Sequence, residues 1–424
     1  MANIAITEVI FRDDLYPRIN KDSAMVQRYA EILDVLPPIE VNQKNELIDG
    51  WHRWTAHRKI EADNIEVIVT ETKSDLHLLA LAIKRNSDHG WQLDEDSKKK
   101  NAIRLYAAGT GMSKEEIADV LSVTKRSVTG YLTDIEKQLR EERKDKIFNM
   151  WLASYTQADI ADTVDLARSA VSEEIATIVE KGNASIFDNS RDFPQDPDFT
   201  PPLYNIWSFS KKTNKTKHFG NSEERIVDNL LYLYTEPYDI VFDPFAGGGG
   251  TVDVCRHRLR RYWVSDRLPI VERESDIRKH DITEGLPPLA RNWSEVSLTY
   301  LDPPYWKQAE GQYSNDPTDL ANMSLEEFTK TVVKLIKDIA RKQSKGAIAL
   351  LIQPTQWNAP DRNAADHIID IVSAVNVKGL RLAHRVSCPY STEQYNAQQV
   401  TWAKENKDML ILTRELIIWK INNE

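Results

Sequence analysis

Three short, almost uninterrupted apolar runs mark the C-terminal half of this chain: Asp239-Ile-Val-Phe242, Val296-Ser-Leu-Thr-Tyr-Leu301 and Ala347-Ile-Ala-Leu-Leu-Ile352. Runs of this length, without helical spacing, predict strands, the last of them buried. Tyr262-Trp-Val-Ser-Asp266 predicts another strand ending on a carboxylate, and Met409-Leu-Ile-Leu-Thr-Arg-Glu-Leu-Ile-Ile-Trp419 predicts a closing hairpin. The N-terminal segment is patterned differently. Pro37-Pro-Ile-Glu-Val41 predicts a short strand. A polar turn and then Glu46-Leu-Ile-Asp-Gly-Trp-His-Arg-Trp-Thr-Ala-His-Arg58 lead through a glycine into a helix with Ala56 inward. This is α+β patterning.

The middle of the chain repeats itself. The segment from Gly111 to Leu132 aligns with that from Tyr155 to Ile175, Met112 matching Tyr155. Each copy opens with an N-cap and an acidic partner three residues on, Ser113 with Glu116 and Thr156 with Asp159, a spacing that satisfies two free backbone donors. Each continues Ile-Ala-Asp, and the small Ala118 and Ala161 allow a second helix to cross closely. Val128 and Val171 anchor that second helix. This is a helix-turn-helix pattern, in which the second helix can enter the major groove of DNA. Its exposed residues are predicted to be Lys125, Arg126, Ser127 and Thr129 in the first copy, and Arg168, Ser169 and Ser172 in the second. A helical spacer is the alternative, more so for the second copy, where Glu173 and Glu174 would face phosphates.

Residues 182–202, polar and proline-rich, read as a linker. A lysine cluster at Lys211, Lys212, Lys215 and Lys217 follows and could track a DNA backbone. A net charge of −10 argues against a protein that coats nucleic acid diffusely, though local basic patches suffice for phosphate contacts. Two cysteines, Cys255 and Cys388, make neither a disulfide framework nor a zinc site. With no basic-then-apolar start and no run of membrane-spanning length, the expectation is a cytoplasmic protein with no membrane partner and no metal.

Two motifs carry the chemistry. Asp243-Pro-Phe-Ala-Gly-Gly-Gly-Gly-Thr251 follows one predicted strand and opens a predicted helix. Glycines at such a turn let the backbone approach a ligand and adopt positive φ. Asp302-Pro-Pro-Tyr305 places a carboxylate, a rigid step and an aromatic ring at the end of another strand. Together they read as a cofactor pocket beside a slot for a planar base.

On these residues the C-terminal half resembles the amino-group DNA methyltransferases that use S-adenosylmethionine. Their Phe-x-Gly-x-Gly pattern is matched by Phe245, Gly247 and Gly249, and their Asp-Pro-Pro-Tyr motif by Asp302, Pro303, Pro304 and Tyr305. The resemblance implies an α/β fold, a Rossmann-like class I methyltransferase domain over 203–424. It implies that Asp243 and the glycine loop wrap the methionine part of the cofactor, Asp266 meets the ribose and Asp281 the adenine amino group. His218-Phe-Gly-Asn-Ser222 loosely resembles the segment at the methionine end. Asp302 and the Pro303 carbonyl would accept from the target amine and aim its lone pair, while Tyr305 stacks on an extruded base.

The first 90 residues resemble the ParB/sulfiredoxin-like domain, through Tyr16-Pro-Arg18, Pro38-Ile-Glu-Val41 and Asp49-Gly-Trp-His-Arg53. That resemblance implies phosphate contacts from Gly50, His52 and Arg53 at a helix N-terminus. A DNA-positioning or dimerising scaffold without nucleotide is the alternative, since the doubled arginine of partition proteins is replaced by His52-Arg53. A homodimer is left open. The all-α region spans 91–181.

Neither cysteine stands in the context that cytosine C5 chemistry requires. Asp at the first position of Asp302-Pro-Pro-Tyr305 favours adenine N6 over cytosine N4, by resemblance. No large recognition insert follows Tyr305, so site choice falls to the N-terminal modules, to the loop Trp306–Met323 or to Ser391–Thr401. The leading expectation is a site-specific adenine methyltransferase acting on double-stranded DNA. The alternatives are an N4-cytosine enzyme, an RNA methyltransferase, and a ParB-like regulatory protein with an inactive methyltransferase domain.

Overall fold

The computed structural model describes residues 2–18, 22–88, 93–107, 112–186, 193, 196–209, 222–289, 293–307, 309, 311–354, 366–390 and 395–422. Gly111, the lysines at 211, 212, 215 and 217, residues 218–221, and 391–394 of the polar segment lie outside the described residues. There are two compact units, Met1–Glu142 and Arg143–Glu424.

The first unit opens with a four-stranded sheet built from β1 (Ala2–Ala5), β2 (Ile39–Val41), β3 (Leu47–Asp49) and β4 (Asn64–Val69), in the order β1-β4-β2-β3. Helices α1 (Ser23–Ala30) and α2 (Trp51–Lys59) pack together beside it. The predicted strand at 37–41 is β2, and the predicted glycine turn leads into α2 with Ala56 fully buried. Helices α3 (Asp75–Asp88), α4 (Glu95–Ala107) and α5 (Lys114–Leu121) follow, then the 28-residue α6 (Lys125–Leu152), within which the boundary between units falls.

The internal repeat is a structural repeat. Ser113 and Glu116 form a complete capping box at the start of α5, and Thr156 and Asp159 form one at the start of α7 (Gln157–Val164). Each first helix ends on a left-handed residue, Ser122 (φ 52) or Asp165 (φ 52), whose N–H donates to the carbonyl of Ala118 or Ala161. Each second helix then starts at the equivalent position, α6 at Lys125 and α8 (Arg168–Ile186) at Arg168. Val128 and Val171 are fully buried, as the anchoring role requires. The copies bury different things, however. Ile117, Leu121, Val128 and Leu132 join a helical core with α3 and α4. Ile160, Val171 and Ile175 join the cluster that contains Val241, Leu298 and Leu351 of the large sheet. The second copy is therefore part of the α/β core of its own unit.

That sheet has seven strands: β5 (Ile240–Asp243), β6 (Arg261–Asp266), β7 (Ile277–Lys279), β8 (Val296–Leu301), β9 (Ala347–Ile352), β10 (Leu380–Pro389) and β11 (Thr413–Ile421). The order is β10-β11-β9-β8-β5-β6-β7, parallel from β9 to β7, with β11 antiparallel to both neighbours. This is the doubly wound α/β architecture expected from the sequence. β8 and β9 coincide with the apolar runs at 296–301 and 347–352, every residue buried. Helices α9 (Glu224–Tyr234), α10 (Gly250–His257), α11 (Leu325–Ala340), α12 (His367–Ala374) and α13 (Ala397–Asn406) complete the unit.

The closing hairpin differs from the prediction. The strand is Thr413–Ile421, not 409–419, and its partner β10 lies on the far side of α13. Met409 is 86% exposed, because the chain there is still approaching the sheet. β10 is an edge strand with mostly exposed and half-buried positions, so no apolar run marks it in the sequence. The stretch read as a linker begins inside α8. It contributes Phe193, 6% exposed, which packs on Phe199 and Tyr232 beneath the Arg258 guanidinium.

Candidate active site

The site forms where the parallel strands end, as in other open α/β sheets. β5 ends on Asp243, which is 1% exposed. Its Oδ1 accepts from the Phe245 N–H (2.8 Å) and its Oδ2 from the Thr251 hydroxyl (2.6 Å), so the carboxylate clasps both ends of the glycine loop. Burial pushes its pKa up to about 7, with Asp302 and Asp266 adding repulsion. The loop turns on Gly247 (φ +49) and Gly249 (φ +87), where the left-handed backbone is what asks for glycine.

Asp266, at the end of β6, accepts from the Gly247 N–H (2.9 Å) through one oxygen and from the Leu268 N–H (2.9 Å) through the other. It thereby locks the glycine loop to the next strand. Asp281 accepts from Thr283 N–H and hydroxyl (3.0 and 2.7 Å) and pairs with Arg267 Nε (3.0 Å). Arg267 also donates to Asp316 (2.7 Å) and Thr318 (2.9 Å), tying this corner to the loop after Asp302-Pro-Pro-Tyr305.

At the end of β8 the Asp302 carboxylate accepts from the Tyr305 hydroxyl at Oδ1 (2.9 Å) and the Tyr300 hydroxyl at Oδ2 (3.2 Å). Burial raises its pKa; Ser222, which hydrogen-bonds to it, and the nearby Arg414 cation act in the opposite direction. Pro303 is buried beneath the turn, and Pro304 and Tyr305 are half-buried.

A cavity of about 410 Å³ runs between these groups. Asp243, Phe245, Gly247, Asp266, Asp281, Asp302 and Pro304 line it; Gly249, Pro303 and Tyr305 do not. Seven of the predicted residues, carried by the ends of four strands (β5, β6, β7 and β8), thus meet in one small-molecule-sized space. Seven acidic side chains line it and make it rich in acceptors. S-adenosylmethionine, with its ammonium, ribose hydroxyls and adenine amine, is a ligand of matching donors, so the residues present fit it.

The other predicted residues lie elsewhere. Lys125, Arg126 and Thr129 are exposed on the first turns of α6, Ser127 is half-buried, and Lys125 pairs with Glu115. Arg168 is exposed at the start of α8. Gly50 precedes α2. Arg53 is spent internally, donating to Asp49 (2.7 Å) and to the carbonyls of Pro37 (2.9 Å) and Pro38 (2.6 Å). His52 Nε2 accepts from the Asp22 N–H (3.3 Å), and burial, with Arg18 nearby, lowers its pKa, so it is neutral.

Sequence reasoning did not find Arg267, Tyr300 or Arg414. Arg267 follows Asp266 directly, and that adjacency was an available signal. Nothing local marks the other two.

Comparison with known proteins gives a family signal. The family model described as DNA methylase (N6/N4) matches residues 62–267, which takes in the glycine loop and Asp266 and stops before Asp302. No curated protein matches. Similar solved structures include ParB of Caulobacter crescentus complexed to the centromeric parS site (16% identity, 42% of this chain and 98% of that chain, TM-score 0.25). An rRNA methylase of Streptococcus thermophilus is similar at 12% identity, over 48% of this chain and 98% of that chain, TM-score 0.30. An S-adenosylmethionine-dependent methyltransferase of Clostridium acetobutylicum is similar at 10% identity, over 49% and 94%, TM-score 0.28. The resemblance of this chain to the amino-group DNA methylases is borne out by the family match over residues 62–267.

Proposed function

We propose that this protein is a site-specific DNA methyltransferase that transfers a methyl group from S-adenosylmethionine to the exocyclic N6 amine of an adenine extruded from duplex DNA. One observation carries the proposal: the Asp302 carboxylate opens into the same cavity as Asp243, Gly247, Asp266 and Asp281. Bound there, S-adenosylmethionine supplies an activated methyl group on its sulfonium. The chain's own task is positioning. Asp302 and the Pro303 carbonyl accept from the amine N–H groups, disfavour delocalisation of its lone pair and aim it. Tyr305 offers an aromatic face to a base that is unreachable inside the duplex. The choice of adenine over cytosine rests on Asp302 at the first motif position.

Asp243 has a further consequence. Its carboxyl is held protonated up to about pH 7 by burial, so an ammonium group can pair with it only after that proton leaves. Cofactor affinity is expected to rise with pH, roughly tenfold per unit, until about 7, with a proton released on binding. Calorimetry in two buffers of different ionisation enthalpy checks this; Asp243→Asn should abolish the dependence. In the protein without ligand the sign is opposite. A raised pKa in the folded state stabilises it at low pH, and that contribution is lost as pH climbs from the usual carboxylate range through about 7.

In the domain scheme we propose, residues 1–90 are a ParB-like scaffold and 91–181 carry the two helix-turn-helix copies. Residues 182–202, which begin inside α8 and bury Phe193, join these to the catalytic domain at 203–424. Engagement of Arg53 with Asp49 and two carbonyls favours scaffold over nucleotide site. The first copy is the better DNA reader, since Lys125 and Arg126 are exposed at a helix start. The Lys125–Glu115 pair is exposed at both ends and is readily exchanged for a phosphate. Lys125→Ala/Arg126→Ala is expected to weaken DNA binding on the order of tenfold or more and to flatten its salt dependence by about two contacts. Cofactor affinity should stay unchanged, and its loss would sink the modular scheme.

The direct test is transfer of labelled methyl to unmethylated genomic DNA, with nucleoside mass spectrometry. N6-methyladenine supports the proposal and N4-methylcytosine corrects the base. Absence of any DNA product despite cofactor binding overturns it.

A further inference from the structure

Arg414 is the second residue of β11 and is 7% exposed. Because β11 runs antiparallel, with Glu415 opposite Ile352 at the end of β9, its beginning lies at the carboxyl edge where β8 delivers Asp302. The guanidinium sits over the Tyr390 ring (4.7 Å), and its Nη1 donates to Ser222 Oγ (2.9 Å). Ser222 in turn hydrogen-bonds to Asp302. The Ser222 hydroxyl has one hydrogen. With its oxygen accepting from Arg414, that hydrogen is directed to the carboxylate.

We propose that Arg414 is a positioning residue for methyl transfer, acting through Ser222 to fix the Asp302 carboxylate and leave it one open acceptor site for the target amine. This rests on the reading of Asp302 as the group that receives the amine. The count is physical. An ionised carboxylate has about four lone-pair sites. Tyr300, Tyr305 and Ser222 occupy three of them. What remains accepts one N–H, which suits a group that must orient a single amine. A buried guanidinium needs an anion nearby, so the same arrangement favours an ionised Asp302. Burial works against the Arg414 charge, and the Asp302 carboxylate nearby favours it; its pKa is raised.

Asp302 is faced by Tyr300 on β8, by Tyr305 and Tyr313 in the following loop and by Asp243 at the end of β5. From the antiparallel pair it is faced by Cys388, Tyr390 and Arg414. Among the described residues that face it, Arg414 is the one cation, so its removal has one direction.

The experiment uses the full-length protein with Ser222→Ala, Arg414→Met, Arg414→Lys and the double variant Ser222→Ala/Arg414→Met. Expected results, at saturating cofactor because Ser222 lines the cofactor cavity, are a kcat loss of about 10–100-fold in Ser222→Ala and Arg414→Met at unchanged DNA KM, with partial rescue by lysine. The double variant should be no slower than the worse single one, because both act in one chain of hydrogen bonds. Losses that multiply, or wild-type kcat in Ser222→Ala, overturn the proposal. Should Arg414→Met fail to fold, Ser222→Ala decides alone. Carboxyl ¹³C NMR of Asp302, identified by its absence in Asp302→Asn, is a readout independent of transfer. Its titration should move upward in Ser222→Ala, and an unmoved titration overturns the proposal even if wild-type protein methylates no DNA. An upward shift without DNA methylation would uphold the Arg414 chain and defeat the DNA reading.

Discussion

Replacing Asp302 with alanine is expected to lower methyl transfer to DNA on the order of a hundred- to a thousandfold while leaving S-adenosylmethionine binding within a few fold. The magnitude follows from what the carboxylate does. It is the acceptor that fixes the amine, and positioning groups of this kind act on the transition state rather than on ground-state affinity. Tyr300 and Tyr305 both donate to it, so the variant leaves two part-buried hydroxyls without that partner and loosens the turn as well. Cofactor binding has a reason to survive. Asp302 repels Asp243, and removing that charge lets Asp243 ionise more readily. Transfer rates and equilibrium dialysis on the same preparation separate the two quantities. A variant that transfers within tenfold of wild type would falsify the assignment of Asp302 to the reacting amine.

The second large effect is on stability. Gly346 sits immediately before β9 with φ +78, and a Cβ there would lie 1.8 Å from the Ser297 carbonyl oxygen of β8. Side chains can yield to such a clash, but this neighbour is backbone in the sheet centre. The Gly346 carbonyl also accepts from the Ile421 N–H (3.0 Å), so β8, β9 and β11 are all held at this point. Gly346→Ala therefore combines a left-handed backbone with forced displacement of a central strand, and is expected to cost about 3 kcal/mol or more. Urea unfolding followed by tryptophan fluorescence should show the loss in the transition of the Arg143–Glu424 unit, which buries Trp263 and Trp419. Gly130→Ala is the control. Gly130 lies within α6 with nothing within 4 Å of the new methyl, and alanine there should be neutral or stabilising by up to about 1 kcal/mol. If both variants unfold alike, steric contact at Ser297 is not the cause.

The parts legible in the sequence share one property: their determinants lie close together along the chain. Strands β8 and β9 could be read residue by residue because both faces are buried, which removes polar positions from the run. The capping boxes at Ser113 and Thr156 could be read because donor and acceptor are three residues apart. The carboxylates ending β5, β6 and β8 could be placed by motif. Their convergence on one cavity then follows from the rule that open α/β sheets gather ligands at their carboxyl ends.

What tertiary structure alone decided involves partners far apart in sequence. The edge strand β10 is half-exposed and has no run to announce it. The second helix pair could be read as a DNA reader or a spacer, and only the burial of Val171 and Ile175 in the same cluster as Val241 and Leu298 made it part of the α/β core. Arg414 is an unremarkable basic residue at a strand start until antiparallel insertion of β11 carries it to the carboxyl edge and Ser222 links it to Asp302. The physical reason is range. Hydrophobic period, caps and turns are set by neighbours along the chain, whereas strand insertion and a buried hydrogen-bond chain depend on which surfaces meet after the chain has folded.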